Sequence, residues 1–434
     1  MRDAAKEGLP ERQLKGQPLP DVLALLCILL WLAWLAFFPW QLTSDDALNF
    51  AHAVVRFSVI EESPHFPGYP GFVWLTRLAA GLGLSPVSAI VATSWLGSGM
   101  IAWYGYLLCR SRAAWYGLPV LVVLLFHPLL PTLALSGLTD APAIACLLAA
   151  CHSAECQRPR RQALWLAIML AIRPSFAVLA IGLWSYSGWQ SSRRRRWLLE
   201  TLLLTAMIGA GCGWFIWMHD GVAYLNEGVR FTQGHYELWG NTPVSHPWQG
   251  LVQWWQLLAA QLTPVGVILL CWLVLQPLCQ RHGWSFTPLW VCLLVSLLWL
   301  LTSQNPENSR HAALPVILSV ILLGRSAVWW RTGLLQVAAL ALISLSWQAP
   351  SPPAISTALT YAAQHCHTLV TQYGVKLAQQ QFQLQVIDAW YQASARLALT
   401  QGACRLSSEP LAGSEVFRGR FAAEKDYYLL LPRY

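Results

Sequence analysis

Apolar runs of roughly 15 to 24 residues follow one another between residues 22 and 348, and a helix needs about 20 such residues to cross a bilayer. No constraint on the fold is stronger. A backbone crossing hydrocarbon must satisfy its own hydrogen bonds, so each run is read as a helix. The runs predict spans near 22–40, 86–109, 113–131, 138–152, 197–218, 262–280, 285–303, 311–326 and 332–348. The stretch 162–187 is too long for one straight span and carries Arg173-Pro174 in its middle, so it reads as two short helices meeting at a break. The total is about eleven crossings. Residues 68–84 are apolar but short and glycine-rich, and are expected to form a juxtamembrane helix that does not cross. Charged residues are 11% of the chain, against ~25% in soluble domains, and the 25 tryptophans suit the two membrane–water interfaces.

Charge gives the orientation. With the N-terminus inside, the cytoplasmic segments hold Arg2, Lys6, Arg12, Lys15, Arg110, Arg112, Arg158, Arg160, Arg161, Arg193 to Arg196, Arg281, Arg325 and Arg331. The opposite loops of the membrane part hold only Arg56, Arg77, Arg173, Arg230 and Arg310. This is the positive-inside pattern, and counting 68–84 as a span would invert it. The net charge of +8 is thus mainly a topology signal. Basic residues scattered over short loops exclude a nucleic-acid partner. The polar first 20 residues and the span-length run after them read as a retained first helix, not a cleavable signal.

Three parts result: a cytoplasmic arm at 1–21, a membrane domain at 22–348, and a tail at 349–434 that opens with Ala349-Pro350-Ser351-Pro352-Pro353. The membrane domain has two substantial external loops, at 41–85 and 219–261. The tail is expected to be a small mixed external domain, helical over its Gln-rich stretch from about 355 to 400 and strand-like at Asp426 to Leu431. Cys366 and Cys404 are the only cysteines in this exported tail, so a disulfide between them is expected. No cysteine spacing resembles a metal site.

The candidate chemistry gathers at the external face. Asp45-Asp46 follow the first span, and two adjacent carboxylates beside a bilayer repel each other and resist joint desolvation. Thr43-Ser44-Asp45 also caps a helix expected over about 46–57. The run Ser63-Pro64-His65-Phe66-Pro67-Gly68-Tyr69-Pro70-Gly71 predicts a shaped non-helical pocket in which His65 and Tyr69 are candidate substrate contacts. Asp140 opens a span beside Ser136 and Thr139. It serves either the helix dipole or a polar cavity. Arg173, between two apolar half-helices, either pairs with Asp140 or contacts a phosphate. Arg310 and His311, in Glu307-Asn308-Ser309-Arg310-His311, could clamp a phosphate at the start of a span. The aromatic segment 231–239 is a weaker candidate for stacking on a sugar or prenyl chain.

In this order, acids after the first helix, a Pro/Gly/Tyr turn, an acid opening a later span, a basic-Pro pair and a late Arg at a span start, the chain resembles the GT-C superfamily of membrane glycosyltransferases. It is most similar to bacterial enzymes of the protein-mannosyltransferase and aminoarabinose-transferase type, over roughly residues 22–330. His65-Phe66-Pro67 stands where a paired proline is common in these enzymes, and Arg173 where lysine is frequent. The resemblance implies an all-α polytopic membrane protein of GT-C fold with about 11 transmembrane helices, juxtamembrane helices in the first external loop and a small mixed external C-terminal domain. It implies a polyprenyl-phosphate-linked sugar donor, a lipid, glycan or protein acceptor, and inversion at the anomeric carbon. By position Asp45 is the general base, with Asp46 as neighbour or alternative. Arg310, His311 and Arg173 are the cations for the leaving phosphate, and Asp140 shapes the pocket. No cofactor is required. Some relatives use a divalent metal such as Mg or Mn, which is left open here and not favoured. The implied location is the bacterial inner membrane, with the active site and tail external and lipid around the spans. A transporter or flippase of lipid-linked saccharide, an O-antigen-ligase-like transferase and a non-catalytic scaffold are the competing readings. The first would place its polar residues at the midplane and the second would centre on a large late loop. The third leaves the acids unused.

Overall fold

The computed structural model describes residues 18–110, 115, 117–191, 194–239, 247–279, 287–306, 308–325 and 347–432. Most of the N-terminal arm, Glu307 and all but the end of the span expected at 332–348 lie outside the described residues, as do the side chains of 235–239.

Every other expected span is helical. The helices are α1 (Pro18–Ala36), α4 (Pro86–Arg110), α5 (Gly117–Phe126), α6 (Leu129–Ala134), α7 (Asp140–Glu155), α8 (Pro159–Ile172), α9 (Ala177–Gln190), α10 (Arg194–Asp220), α12 (Pro247–Cys279), α13 (Pro288–Ser303) and α14 (Ala313–Arg325). The loop expected to be the first external one holds α2 (Asp45–Val55) and α3 (Pro70–Gly81); the second such loop holds α11 (Ala223–Trp239). Among the described residues two helices, Leu19–Ala36 and Arg194–Asp220, are by themselves long and apolar enough to cross a membrane. The pair α3 and α4, bent by 115°, makes a third if counted as one broken span. The expected eleven crossings are therefore more than length and apolarity alone establish. Part of the shortfall comes from interruptions, since Pro128 divides α5 from α6 and Pro174 divides α8 from α9, and part from the shortness of α7, α13 and α14. Proline removes the backbone donor and pushes the residue before it out of helical geometry, as at Arg173 (φ −144°, ψ 88°).

Helix α4 lies at the centre, packed by α1, α3, α5, α6 and α7. Its Gly97 is a close-approach position: a Cβ there would lie 2.6 Å from the Pro142 nitrogen, so only glycine lets the start of α7 rest on α4. Four ion pairs mark one pole. Arg110 at the end of α4 binds Asp21 in the first turn of α1. Arg325 at the end of α14 binds Glu155 at the end of α7, and Glu200 is held by Arg160 and Arg196. The opposite ends of α7 and α14 carry Asp140 and Arg310.

The tail is an α/β unit, not a long helix with a terminal strand. The stretch expected to be helical over 355–400 is divided into α15 (Ala354–His365), β1 (Thr368–Thr371), α16 (Val375–Gln381), β2 (Gln385–Asp388) and α17 (Gln392–Thr400). Strands β3 (Cys404–Ser407), β4 (Glu415–Phe417) and β5 (Tyr427–Leu430) complete a five-stranded sheet of order β2-β1-β3-β5-β4. β1 runs parallel to β2 and β3, while β5 pairs antiparallel with β3 and β4. The local reason is that Thr368-Leu369-Val370-Thr371 and Val386-Ile387 are β-branched runs, with Gly374 in left-handed conformation turning the chain between them. The expected strand at the C-terminus is β5.

Cys366 and Cys404 form the expected disulfide, which ties the entrance of β1 to the start of β3 across 38 residues. Closing a loop of that length restricts the unfolded chain by about 2 to 4 kcal/mol. Replacing both cysteines by serine should lower the unfolding midpoint of the tail accordingly. Differential scanning fluorimetry with and without reductant would check this, and a double variant that melts like wild type would contradict it.

Candidate active site

The first external loop is pinned before it presents anything. Ser44 is the N-cap of α2, its hydroxyl accepting from the Ala47 N–H at 3.2 Å, as the sequence led us to expect. Arg77 of α3 donates to the carbonyls of Ala53 and Val54 and so closes the far end of α2. Asp220 at the end of α10 accepts from the Ser58 hydroxyl and the Val59 N–H, both at 2.7 Å. Gly71 lets the start of α3 touch the end of α8, because a Cβ there would lie 2.7 Å from the Ala171 carbonyl carbon. Arg173 leaves the chain two residues later.

Asp46 is the centre of the resulting cluster. Its Oδ2 accepts from Arg310 Nη2 at 2.8 Å, and its Oδ1 lies 3.8 Å from His65 Nδ1. His65 Nε2 is 3.0 Å from the Tyr69 hydroxyl, and the His65 ring stacks on Phe231 at 5.6 Å. Tyr69 itself has φ +49°, ψ 48°, a left-handed conformation that costs a bulky residue about 1 to 2 kcal/mol and is held by the turn before Pro70. Behind these lies the buried pair of Arg173 and Asp140, with Nη1 3.1 Å from Oδ2. Arg173 Nη1 donates to the Thr139 hydroxyl at 2.8 Å, and its guanidinium sits over the Phe176 ring.

The electrostatics follow from this placement. Burial alone would raise the Asp46 pKa, but the charges of Arg310 and His65 outweigh it and hold the carboxyl well below the usual range. Burial likewise opposes the charge on Arg310, and Asp46 and Asp140 more than restore it. Burial pushes the Tyr69 phenol up to about 12. Two buried polar atoms of the cluster have no hydrogen-bond partner, Arg310 Nε and Arg173 Nε, while Asp140 Oδ2 faces Arg173 Nη1 as an ion pair. Such orphans are rare in folded proteins and mark places where a ligand or water completes the bonding.

Asp45 points elsewhere. Its Oδ1 accepts from the Leu377 N–H at 2.9 Å, at the first turn of α16, so it caps a helix of the tail. Beside it Lys376 pairs with Glu62. The Ser356 hydroxyl donates to the Leu42 carbonyl, and Phe421 packs on Phe38 at 5.4 Å. The tail is thereby seated on the first external loop. Burial raises the Asp45 pKa in spite of the two backbone N–H groups that favour its charge. A carboxyl with a raised native pKa stabilises the fold below its unfolded value, near 3.9, and that contribution is lost as pH rises through the native value. Asp45→Asn keeps an acceptor for Leu377 and removes the buried charge. Its melting temperature should match wild type near pH 4 and equal or exceed it at pH 7; a drop confined to pH 7 would contradict this account.

Around Asp46, then, the fold collects His65, Tyr69, Asp140, Arg173 and Arg310 of the residues expected from the sequence. Asp45 faces the tail, and His311 packs edge-on against Trp299 at 6.2 Å. Of segment 231–239, Phe231 reaches the site through His65. Asp220, Arg77 and Glu62 were missed; each is an ordinary loop or helix charge in the sequence, and only its partner gives it a role. Among the described residues no three of His, Cys, Asp and Glu converge as metal ligands. A cation at either carboxylate of the cluster would have to displace an arginine.

No protein-family model matches the chain, and no curated protein matches it in sequence. Solved structures that align with the chain include two of one protein. ArnT from Cupriavidus metallidurans bound to undecaprenyl phosphate aligns over 96% of this chain and 98% of its own, with TM-score 0.42 and 11% identity. The apo state of the same protein aligns over 94% and 97%, with TM-score 0.41 and 12% identity.

Proposed function

We propose that the chain is an inverting glycosyltransferase of GT-C type, moving a sugar from a polyprenyl-phosphate donor to an acceptor hydroxyl at the external membrane face. The observation that carries this reading is the Asp46 carboxylate set beside two arginines whose Nε atoms are buried and unpartnered. A phosphodiester is ligand chemistry that suits such a site, because it offers acceptors to the unpartnered Nε atoms of both guanidinium groups.

In this mechanism the donor phosphate takes up Arg310, with His65 and Arg173 beside it. The Asp46 carboxylate, sharing Arg310 with the phosphate, accepts the proton of the acceptor hydroxyl. The acceptor oxygen bonds to the anomeric carbon from the face opposite the phosphate. The bond between that carbon and the phosphate oxygen breaks, and both its electrons leave with the polyprenyl phosphate. The arginines stabilise the added negative charge where it develops. Asp140 orients Arg173 through Oδ2. Asp45 seats the tail, and this geometry favours Asp46 over Asp45 as base. The cluster's charges lie at the end of α7 and just before α14 rather than midway along them, which supports transfer at a face over transport through the midplane.

The stereochemistry tests this. Protein in nanodiscs is supplied with anomerically 13C-labelled polyprenyl-phosphate sugars, and the product's anomeric coupling constant is read by NMR. Inversion is expected. A retained configuration would exclude the single displacement, and absence of product from every donor would exclude the transferase.

A further inference from the structure

The tail contains a crevice that the membrane-face cluster does not use. Its volume is ≈ 410 Å³, within the range of small-molecule sites. Gln372 and Tyr373 line it just after β1, Ala389 after β2, and Ser407, Ser408 and Glu409 at the end of β3. Lys425 and Asp426 close it ahead of β5, and Arg405 rises from β3. The chain leaves β1 for β2 on one side and then crosses to β3 on the other. The crevice therefore lies beyond the carboxyl ends of parallel strands where the strand order reverses, the place where open α/β sheets bind ligands.

The lining is built for hydroxyl groups. The Tyr373 hydroxyl accepts from Gln372 Nε2 at 2.7 Å and from the Ser408 hydroxyl at 2.8 Å. Lys425 Nζ stands 4.7 Å over the Tyr373 ring, and Tyr427 meets that ring edge-on at 5.9 Å. The aromatic wall is thus fixed, while the exposed Arg405 and Glu409 side chains offer a strong donor set and a strong acceptor at the rim. A nucleotide phosphate does not fit the usual way. The helix start after β1, where it would bind, is already capped by the Asp45 carboxylate.

The crevice also lies close to the reacting centre. Tyr373 on its wall is four residues before Leu377, which is bonded to Asp45, so the two are at most ~14 Å apart along the chain. Asp46 is the next residue along α2.

We propose that this crevice is a saccharide subsite that holds one or two sugar units of a glycan acceptor while the next hydroxyl reaches Asp46. This rests on the transferase reading above and names its acceptor class. The subsite is tested without transfer, by saturation-transfer NMR on the full-length protein in nanodiscs with methyl glycosides of neutral, N-acetylated and uronic sugars and their disaccharides. At least one glycoside should receive saturation. Arg405→Ala combined with Glu409→Ala, both exposed, should fold normally and weaken that binding roughly tenfold or more, since each removes a charged hydrogen-bond partner. Asp46→Asn should leave it unchanged. No saturation of any glycoside in wild type, or saturation unaffected by the double variant, overturns the subsite. Saturation that behaves as expected in a protein with no transfer activity leaves the subsite standing and overturns the transferase.

Discussion

Asp46→Asn is expected to lower transfer by about 10²- to 10⁴-fold, the range that a positioned general base supplies. The amide keeps the shape and an acceptor for Arg310, so donor binding should change little while the chemical step fails. Loss in kcat with a preserved KM for donor is the signature of an interaction that matters only in the transition state. The pH profile gives a second reading. Arg310 and His65 hold Asp46 below the usual carboxylate range, so the base form persists down to unusually acid pH. The acid limb of wild-type kcat/KM should therefore lie below the normal value for aspartate, near 3.9. An acid limb at or above that value would argue that another group is the base.

Arg310→Ala is expected to lower kcat by about 10²- to 10³-fold, the usual loss when one preorganised donor to a developing oxyanion is removed. It should also weaken donor binding, because Arg310 would hold the phosphate before reaction as well as after. A consequence separates this from a general loss of structure. Without Arg310 the Asp46 carboxylate loses its largest favourable charge, so its pKa rises and the acid limb of the residual activity moves to higher pH. Arg310→Lys keeps the charge and loses the fork, and should sit between the two. Wild-type kinetics in Arg310→Ala would remove the phosphate from this side of Asp46.

Much of the membrane part was legible because the bilayer imposes a coarse rule. Apolar length and proline breaks mark helices, so α8 and α9 were separated at Arg173-Pro174 and α3 was recognised as distinct from α4. The cluster was legible for a related reason: a charge in apolar surroundings needs a partner, so Asp140, Arg173 and Arg310 were conspicuous before any partner was known. What the sequence could not decide was which way each neighbour turns. Asp45 and Asp46 are adjacent on α2, and helical residues one apart point about 100° from each other. One of the pair had to leave the cluster, and the choice depended on α16, some 330 residues away. The tail was expected to be mixed, but β1 and β2 within its Gln-rich stretch were missed for a different reason. Its strands are only three or four residues long, and the Gln- and Ala-rich composition between them favours helix locally. The parallel pairing of β1 with β2 and β3 overrides that preference through contacts no local pattern contains.

The central claim is that Asp46 serves a lipid-phosphate sugar transfer. The measurement that tests it most directly supplies radiolabelled polyprenyl-phosphate sugars to purified protein in nanodiscs, with total membrane extract as acceptor, and follows wild type beside Asp45→Asn and Asp46→Asn. Label should move in wild type, continue within a few-fold in Asp45→Asn, and fall by at least a hundredfold in Asp46→Asn. Transfer that survives Asp46→Asn and fails in Asp45→Asn would contradict the assignment, and label that only crosses the bilayer unchanged would contradict the transferase itself.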